Sequence, residues 1–366
     1  MRPLLILILL LVSCKQEKPE SNILIFEPQK ATHEFKLSDF VESITYIQFD
    51  STKIFAGFDG TVLTDDFIFL KTNLGILKYD RTGRFIQQIG GIGQGPMEYN
   101  QDYQITKSES GEKLFIHTYE DIILTYDFDG NFLNRIKAKV SLSIPNVFRQ
   151  YNNQFYFFKD ISSYAPSQPD LWLVIDEKGK WVSSKKDENL FFESSSGANY
   201  IWSPTDYNNS SIYWNMYSDT IYRINKSGVD AFGVFGNGRY RLTPQNESNR
   251  DGCLKMNCIV ETNRFIFFRW AFMTGEWTSN ITIYDKQNKT FKNTDKPIVN
   301  DIDGGAPLFF SRSVQINGYQ YLGTSMRPED LKEKFLASNT PESRALAETI
   351  DEEGNPVMVL YKLKEQ

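Results

Sequence analysis

Three features of this 366-residue sequence predict an all-β fold: abundant aromatic residues, no helical period before residue 327, and a turn motif recurring about every 50 residues. Phe and Tyr number 28 and 19, and side chains of that shape suit pleated, half-buried surfaces. The motif runs aromatic or Ile, Asp or Asn, two further residues, Gly, one residue, and a large apolar group. It reads Tyr79-Asp80-Arg81-Thr82-Gly83-Arg84-Phe85, Tyr126-Asp127-Phe128-Asp129-Gly130-Asn131-Phe132 and Ile175-Asp176-Glu177-Lys178-Gly179-Lys180-Trp181. A weaker fourth copy is Ile224-Asn225-Lys226-Ser227-Gly228. In the fifth, Tyr284-Asp285-Lys286-Gln287-Asn288-Lys289-Thr290-Phe291, Asn replaces Gly and one residue is inserted. From Asp80 to Asp127, Asp176, Asn225 and Asp285 the steps are 47, 49, 49 and 60 residues.

Gly or Asn at the fourth place supplies a positive φ and the Asp carboxylate can cap the turn's amides, so each motif predicts a hairpin. Four short strands fit each period; in the second they are Tyr103 to Thr106, Lys113 to Tyr119, Ile122 to Asp127 and Phe132 to Ile136. Multi-stranded units at this period predict a β-propeller, and five tagged units plus a remainder predict six blades of four antiparallel strands. The remainder, Leu308 to Thr324 with Val357 to Lys364, holds about three strands. The alternating segment Ile44 to Phe49 completes it, so the N- and C-terminal strands close the ring and leave no open edge. Around 327–350 the pattern turns helical: Leu331 with Phe335, Pro341 after Thr340, Leu346 with Ile350. That short insertion in the last blade covers a face or rim.

Residues 1–13 read as an export leader, with Arg2, nine apolar residues from Leu4 to Val12, and Leu11-Val12-Ser13-Cys14. Nine residues are too few for a spanning helix, and the last four match a bacterial lipobox. Cys14 is then the lipidation site and the membrane is a partner through its anchor. The predicted domains are a signal peptide at 1–13, a lipidated tether at 14–30, and the propeller at 31–366. The location is the cell envelope, an outer-membrane anchor facing periplasm or exterior.

Only Cys253 and Cys258 remain. An extracytoplasmic compartment permits a disulfide, but in a straight strand their Cα atoms lie about 16 Å apart, so a bridge requires a turn. A bridge and two thiols both stay open. With only His33 and His117 and no second cysteine pair, a zinc site is not expected. A net charge of −6 without a basic patch argues against nucleic acid.

Three segments, in the expected order, resemble the six-bladed β-propeller lipoproteins of Bacteroidetes, distant kin of NHL-repeat propellers. They are Lys36-Leu37-Ser38-Asp39-Phe40-Val41-Glu42-Ser43-Ile44, the loop Gly93-Gln94-Gly95-Pro96-Met97-Glu98-Tyr99, and Asn355-Pro356-Val357-Met358-Val359-Leu360-Tyr361-Lys362-Leu363-Lys364. The resemblance implies fold and location and little chemistry. Met97 stands where the family usually has Gly, and Gly91 or Ile92 where it often has a basic residue, so a ligand of that loop in relatives would be altered or lost here.

In a four-stranded meander the connection to the next blade and the turn between second and third strands share one end, opposite the tagged turns. The glycine loop marks that face, which in propellers usually opens onto the central channel. Candidate ligand-binding residues there are Glu98, Tyr99, Tyr119, Glu120, Tyr164, Trp214, Arg269, Trp270 and Arg312. Aromatic faces suit sugar rings and the arginine fork suits carboxylates. Against this, most aromatics of such a chain pack blades, with Glu98 capping its loop and Tyr99 wedging between blades.

No helix N-terminus or lysine follows the loop, which excludes a phosphate cradle. Asp127 to Asn131 and Asp301 to Gly304 lack the glycine and glutamate spacing of a calcium loop and read as turns. No nucleophile elbow or metal motif is present, and His117, beside Phe115 and Tyr119, reads as packed. No cofactor is expected. The sequence thus predicts a monomeric, non-catalytic propeller binding a glycan, peptide or envelope protein. The alternatives are a propeller enzyme, either carboxylate-based and glycan-processing or an NHL-like lyase, and a structural subunit of an envelope complex.

Overall fold

The computed structural model describes residues 23–28, 31–100, 103–118, 121–142, 147–158, 170–186, 200–205, 207–218, 220–243, 245–246, 249–273, 279–338 and 340–364. A short strand β1 (Leu24–Phe26) and a longer β2 (Val41–Ile47) precede the first blade, β3 (Phe58–Leu63), β4 (Phe67–Thr72), β5 (Gly75–Asp80) and β6 (Phe85–Ile89). The second holds β7 (Gln104–Lys107), β8 (Lys113–Thr118), β9 (Ile122–Asp127) and β10 (Phe132–Lys137); the third β11 (Val147–Tyr151), β12 (Gln154–Phe158), β13 (Asp170–Asp176) and β14 (Trp181–Lys186). The fourth comprises β15 (Tyr200–Thr205), β16 (Ser210–Asn215), β17 (Thr220–Asn225) and β18 (Gly228–Phe235); the fifth β19 (Leu254–Glu261), β20 (Phe265–Phe272), β21 (Asn280–Asp285) and β22 (Thr290–Thr294). The last has β23 (Arg312–Ile316), β24 (Tyr319–Met326), helices α1 (Pro328–Ser338) and α2 (Pro341–Glu348), and β25 (Val357–Leu363).

Each blade is an antiparallel meander in chain order, and β2 pairs with β25 as the outermost strand of the sixth, from Val41 opposite Leu363 to Ile47 opposite Met358. The fold is therefore the six-bladed propeller the repeat predicts. It also explains why six blades carry five tags: in the sixth, the third and fourth strands are the two ends of the chain. First strands approach one another around the axis, β3 beside β7 and β7 beside β11. Those of the fourth and sixth blades also meet, Thr205 pairing with Ser313 in parallel.

The core lies in the seams. Between the first two blades pack Phe69, Ile76, Ile89, Tyr99, Tyr103, Leu114 and Tyr126, and similar apolar clusters fill the others. Aromatics do this because two facing sheets need side chains long enough to fill about 10 Å between them.

The tags are hairpins and more. Asp80 accepts from the amides of Thr82 and Arg84, Asp176 from those of Lys178 and Lys180, and Asn225 from that of Ser227. Burial alone would raise the Asp80 carboxyl, but bonds from Thr82 and Arg84 outweigh it and hold the group at about 2. Gly83, Gly130, Gly179 and Gly228 all have positive φ. In the fifth copy the left-handed residue is Lys289, not Asn288, because the inserted residue moves that position along by one. The tags also clasp the preceding blade: Asp50 N–H donates to Gly83 O (2.9 Å) and Lys139 N–H to Gly179 O (2.7 Å). A Cβ on Gly83 would lie 2.1 Å from Gln48 O, and one on Gly179 2.4 Å from Lys137 O.

The assignment of residues 14–30 to a tether requires correction. Leu24–Phe26 extend the fourth blade as β1, parallel to β18, because Phe26 is wholly buried among Phe235, Phe268, Trp270 and Phe291. The two cysteines are unbridged. β19 runs on from Leu254 with only a bulge at Met256–Cys258, and Cys253 and Cys258 pack into different apolar clusters. The helical insertion is α1 and α2, with Thr340 capping α2 by accepting from Ser343 N–H (3.1 Å). Leu331 and Phe335 bury against the sixth blade, Phe335 edge-on to Tyr46.

Candidate functional site

β4 reads Phe67-Ile68-Phe69-Leu70-Lys71-Thr72, and a lysine inside so apolar a strand must be stabilised by its surroundings. Opposite it on β3 stands Gly60, beside a bulge, where a Cβ would come 3.1 Å from Lys71 Cβ. The room so made holds a lysine side chain 11% exposed, its Nζ 2.8 Å from Asp59 Oδ2 and 5.3 Å from the Tyr103 ring centroid. Asp59 itself is 71% exposed. Around this pair opens a pocket of about 570 Å³, lined by Gly57, Phe58, Asp59, Lys71, Thr72, Asn73, Ile92 and Tyr103.

The meander puts the pocket on the glycine-loop face. It takes the starts of β3 and of the second blade, the β4–β5 turn, and Ile92 of the loop itself. The loop folds on its own backbone, Gly93 N–H donating to Tyr99 O and Tyr99 N–H to Gly91 O, both 3.0 Å. Glu98 Oε2 accepts from Gly95 N–H (2.8 Å), and a Cβ on Gly93 would meet that same oxygen at 2.0 Å. Tyr99 is fully buried, donating to Ile89 O (2.7 Å) and accepting from Ile76 N–H (3.0 Å). Burial pushes its phenol up to about 12. Tyr126 donates to Met97 O, while the Met97 side chain is 52% exposed. The loop thus presents Ile92 to the pocket as one rigid wall.

Nearer the axis, Lys107, Arg149 and Arg312 line a cavity of about 20 Å³ with Thr61, Val62, Leu63, Ser313 and Val314. Each reaches across a seam: Lys107 Nζ donates to Leu63 O (3.2 Å), Arg149 Nη1 to Thr106 Oγ1 (2.8 Å) and Arg312 Nη1 to Thr61 O (3.1 Å). Three cationic side chains thus converge on this cavity in an otherwise acidic chain.

The sequence candidates scatter. Glu98 is exposed in its loop, and Tyr99 is the wedge just described. Trp214 and Trp270 are core residues, each 2% exposed, with Trp270 Nε1 donating to Thr282 Oγ1 (2.9 Å). Arg312 lies in the channel, and Arg269 stacks on Phe309 at the seam of the fifth and sixth blades. Tyr119, Glu120, Tyr164 and Cys14 lie outside the described residues. His117 is 4% exposed against Phe148 and Phe157, and burial lowers its pKa to about 4. Among the described residues no group of three His, Cys, Asp or Glu side chains is placed to hold a metal ion. Sequence reading missed Asp59, Lys71 and Phe309; the signal for Lys71 was a single charge inside an apolar strand.

Among solved structures, a candidate exported protein from Bacteroides fragilis aligns over 94% of this chain and 100% of its own, with 16% identity and a TM-score of 0.69. A streptogramin B lyase aligns over 87% of this chain and 98% of its own with 11% identity and a TM-score of 0.44. Comparison with curated proteins returns no match. The domain of unknown function DUF4934 matches residues 22–362, nearly the whole propeller, and the chain belongs to that family.

Proposed function

We propose that this protein is an exported, lipid-anchored propeller that binds a glycan or peptide, without turning it over, in the pocket between its first two blades. The carrying observation is the 570 Å³ pocket, a volume typical of small-ligand sites, with a nearly buried ammonium at its base and an exposed carboxylate beside it. Phe58 and Ile92 offer apolar surface, while Lys71 and Asp59 offer a donor and an acceptor for hydroxyl or amide groups. Export and anchoring rest on the leader and on Cys14, and the Bacteroides fragilis protein of the same fold, described as a candidate exported protein, agrees with that location.

Thermal shift against a panel of glycans and peptides, with a chelator control, tests the reading. A true ligand at a hundredfold excess over Kd stabilises the protein by about 2.7 kcal/mol. Lys71→Ala should abolish that shift, whereas a ligand shift unaffected by Lys71→Ala would move the site elsewhere. Turnover of any panel member would overturn the binding-only reading. Cys14→Ala should release the protein from membranes; continued firm attachment would refute the anchor.

A further inference from the structure

β20 reads Phe265-Ile266-Phe267-Phe268-Arg269-Trp270-Ala271-Phe272, and Arg269 is its only charged residue. The register sets it against Cys258 of β19 and Ile281 of β21, mid-sheet. Cys258 belongs to the cluster filling the seam between the fifth and sixth blades, its Sγ 3.8 Å from Ser311 O. Arg269 rises along this seam and lays its guanidinium over Phe309, 4.0 Å from the ring centroid. Phe309 lies in the connection from β22 to β23, on the glycine-loop face, and is 53% exposed.

At the opposite, tagged-turn end of the fourth and fifth blades, guanidinium groups hold carboxylates: Arg223 grips Glu261 and Arg264 grips Asp285. Arg269 does not. Its Nε is buried without a hydrogen bond, and among the described residues no carboxylate pairs with it. Burial pushes its pKa below the ordinary arginine value, with Cys258 weakly opposing. A desolvated cation without a counter-charge lowers stability, and a planar carboxylate meeting its outer nitrogens supplies that counter-charge. The exposed ring alongside would cover whatever the carboxylate is attached to.

We propose that Arg269 and Phe309 form a second ligand site, at the seam of the fifth and sixth blades, for a carboxylate borne next to a ring or apolar group. An acidic sugar and a peptide C-terminus share that chemistry. The site is independent of the Lys71 pocket, which lies between other blades.

The test is titration by thermal shift with sodium acetate, glucuronate and N-acetyl-L-phenylalanine, against sodium chloride at equal ionic strength and inorganic phosphate as a non-planar anion. Wild type should be stabilised by the carboxylates beyond the chloride reference, and Arg269→Gln should weaken that binding about tenfold or more. Phe309→Ala should weaken glucuronate and N-acetyl-L-phenylalanine more than acetate, and whichever of the two binds tighter identifies the source. Lys71→Ala should leave these shifts intact. Equal shifts in wild type and Arg269→Gln, or none above chloride in wild type, would overturn the proposal. Without added anion, Arg269→Gln should melt no lower than wild type, since it removes an uncompensated charge. A lower Tm would make the arginine structural and equally overturn the site.

Discussion

Single charged or titratable residues inside apolar strands mark what is unusual in this chain. His117 is one, packed against two phenylalanine rings with its Nε2 unbonded. Its folded pKa of about 4 lies below the unfolded value of 6.5, so as pH falls the unfolded chain takes up the proton first. The neutral histidine's contribution is complete above pH 6.5, declines as pH drops toward 4, and levels off below. The loss amounts to about 3 kcal/mol. Chemical denaturation of wild type and His117→Leu at pH 7 and pH 4.5 should show a steeper loss in wild type; parallel losses would mean the imidazole is already solvated. Lys71 and Arg269 are two more, and their strands announce them as single charges without saying what surrounds them.

At the scale of elements, the tagged turns were legible because their chemistry is local: an aspartate caps amides two and four residues on, and glycine takes the left-handed conformation. Their second task was not legible, since the outer strands that Gly83, Gly130 and Gly179 meet lie some 40 residues earlier. Two glycines separate the effects. Gly179 and Gly111 share nearly the same φ, +74° and +73°, but a Cβ on Gly179 meets Lys137 O whereas one on Gly111 meets nothing within 4 Å. Both Gly→Ala changes should cost about 1–2 kcal/mol for the backbone, with Gly179→Ala losing about 1–3 kcal/mol more from the clash. Equal midpoints in urea for the two variants would mean that the blades separate there at no cost. α2 was equally readable, since Thr340 followed by Pro341 is a local start signal and the structure uses both residues.

For the whole molecule, the decisive event is closure of the ring. β2 and β25 meet across more than 300 residues, and Asn355 locks the junction. It is 2% exposed, accepts from Phe55 N–H (2.9 Å) and donates to Asp50 O (2.9 Å) and Lys53 O (2.8 Å). Asn355→Ala would strand these backbone groups, with an expected loss of about 3 kcal/mol. Hydrogen exchange should then rise first in β2 and β25; unchanged protection there would show that strand pairing alone closes the ring.

The sequence by itself determined the blade count, the tag positions, the helical insertion and the pairing of the chain's ends, all of which follow from periodicity and turn chemistry within a few residues. It also marked the face to search, because strand alternation in a meander leaves no choice. Only the tertiary structure decided that the glycine loop brings Ile92 to the wall of a pocket, that Leu24–Phe26 belong to the fourth blade, and that Cys253 and Cys258 enter different clusters. It alone paired Asp59 with Lys71 under Tyr103, and left Arg269 with a ring beside it and, among the described residues, no carboxylate. Those outcomes depend on which blades adjoin and how far each side chain reaches across a seam, and neither quantity is carried by neighbours in the chain.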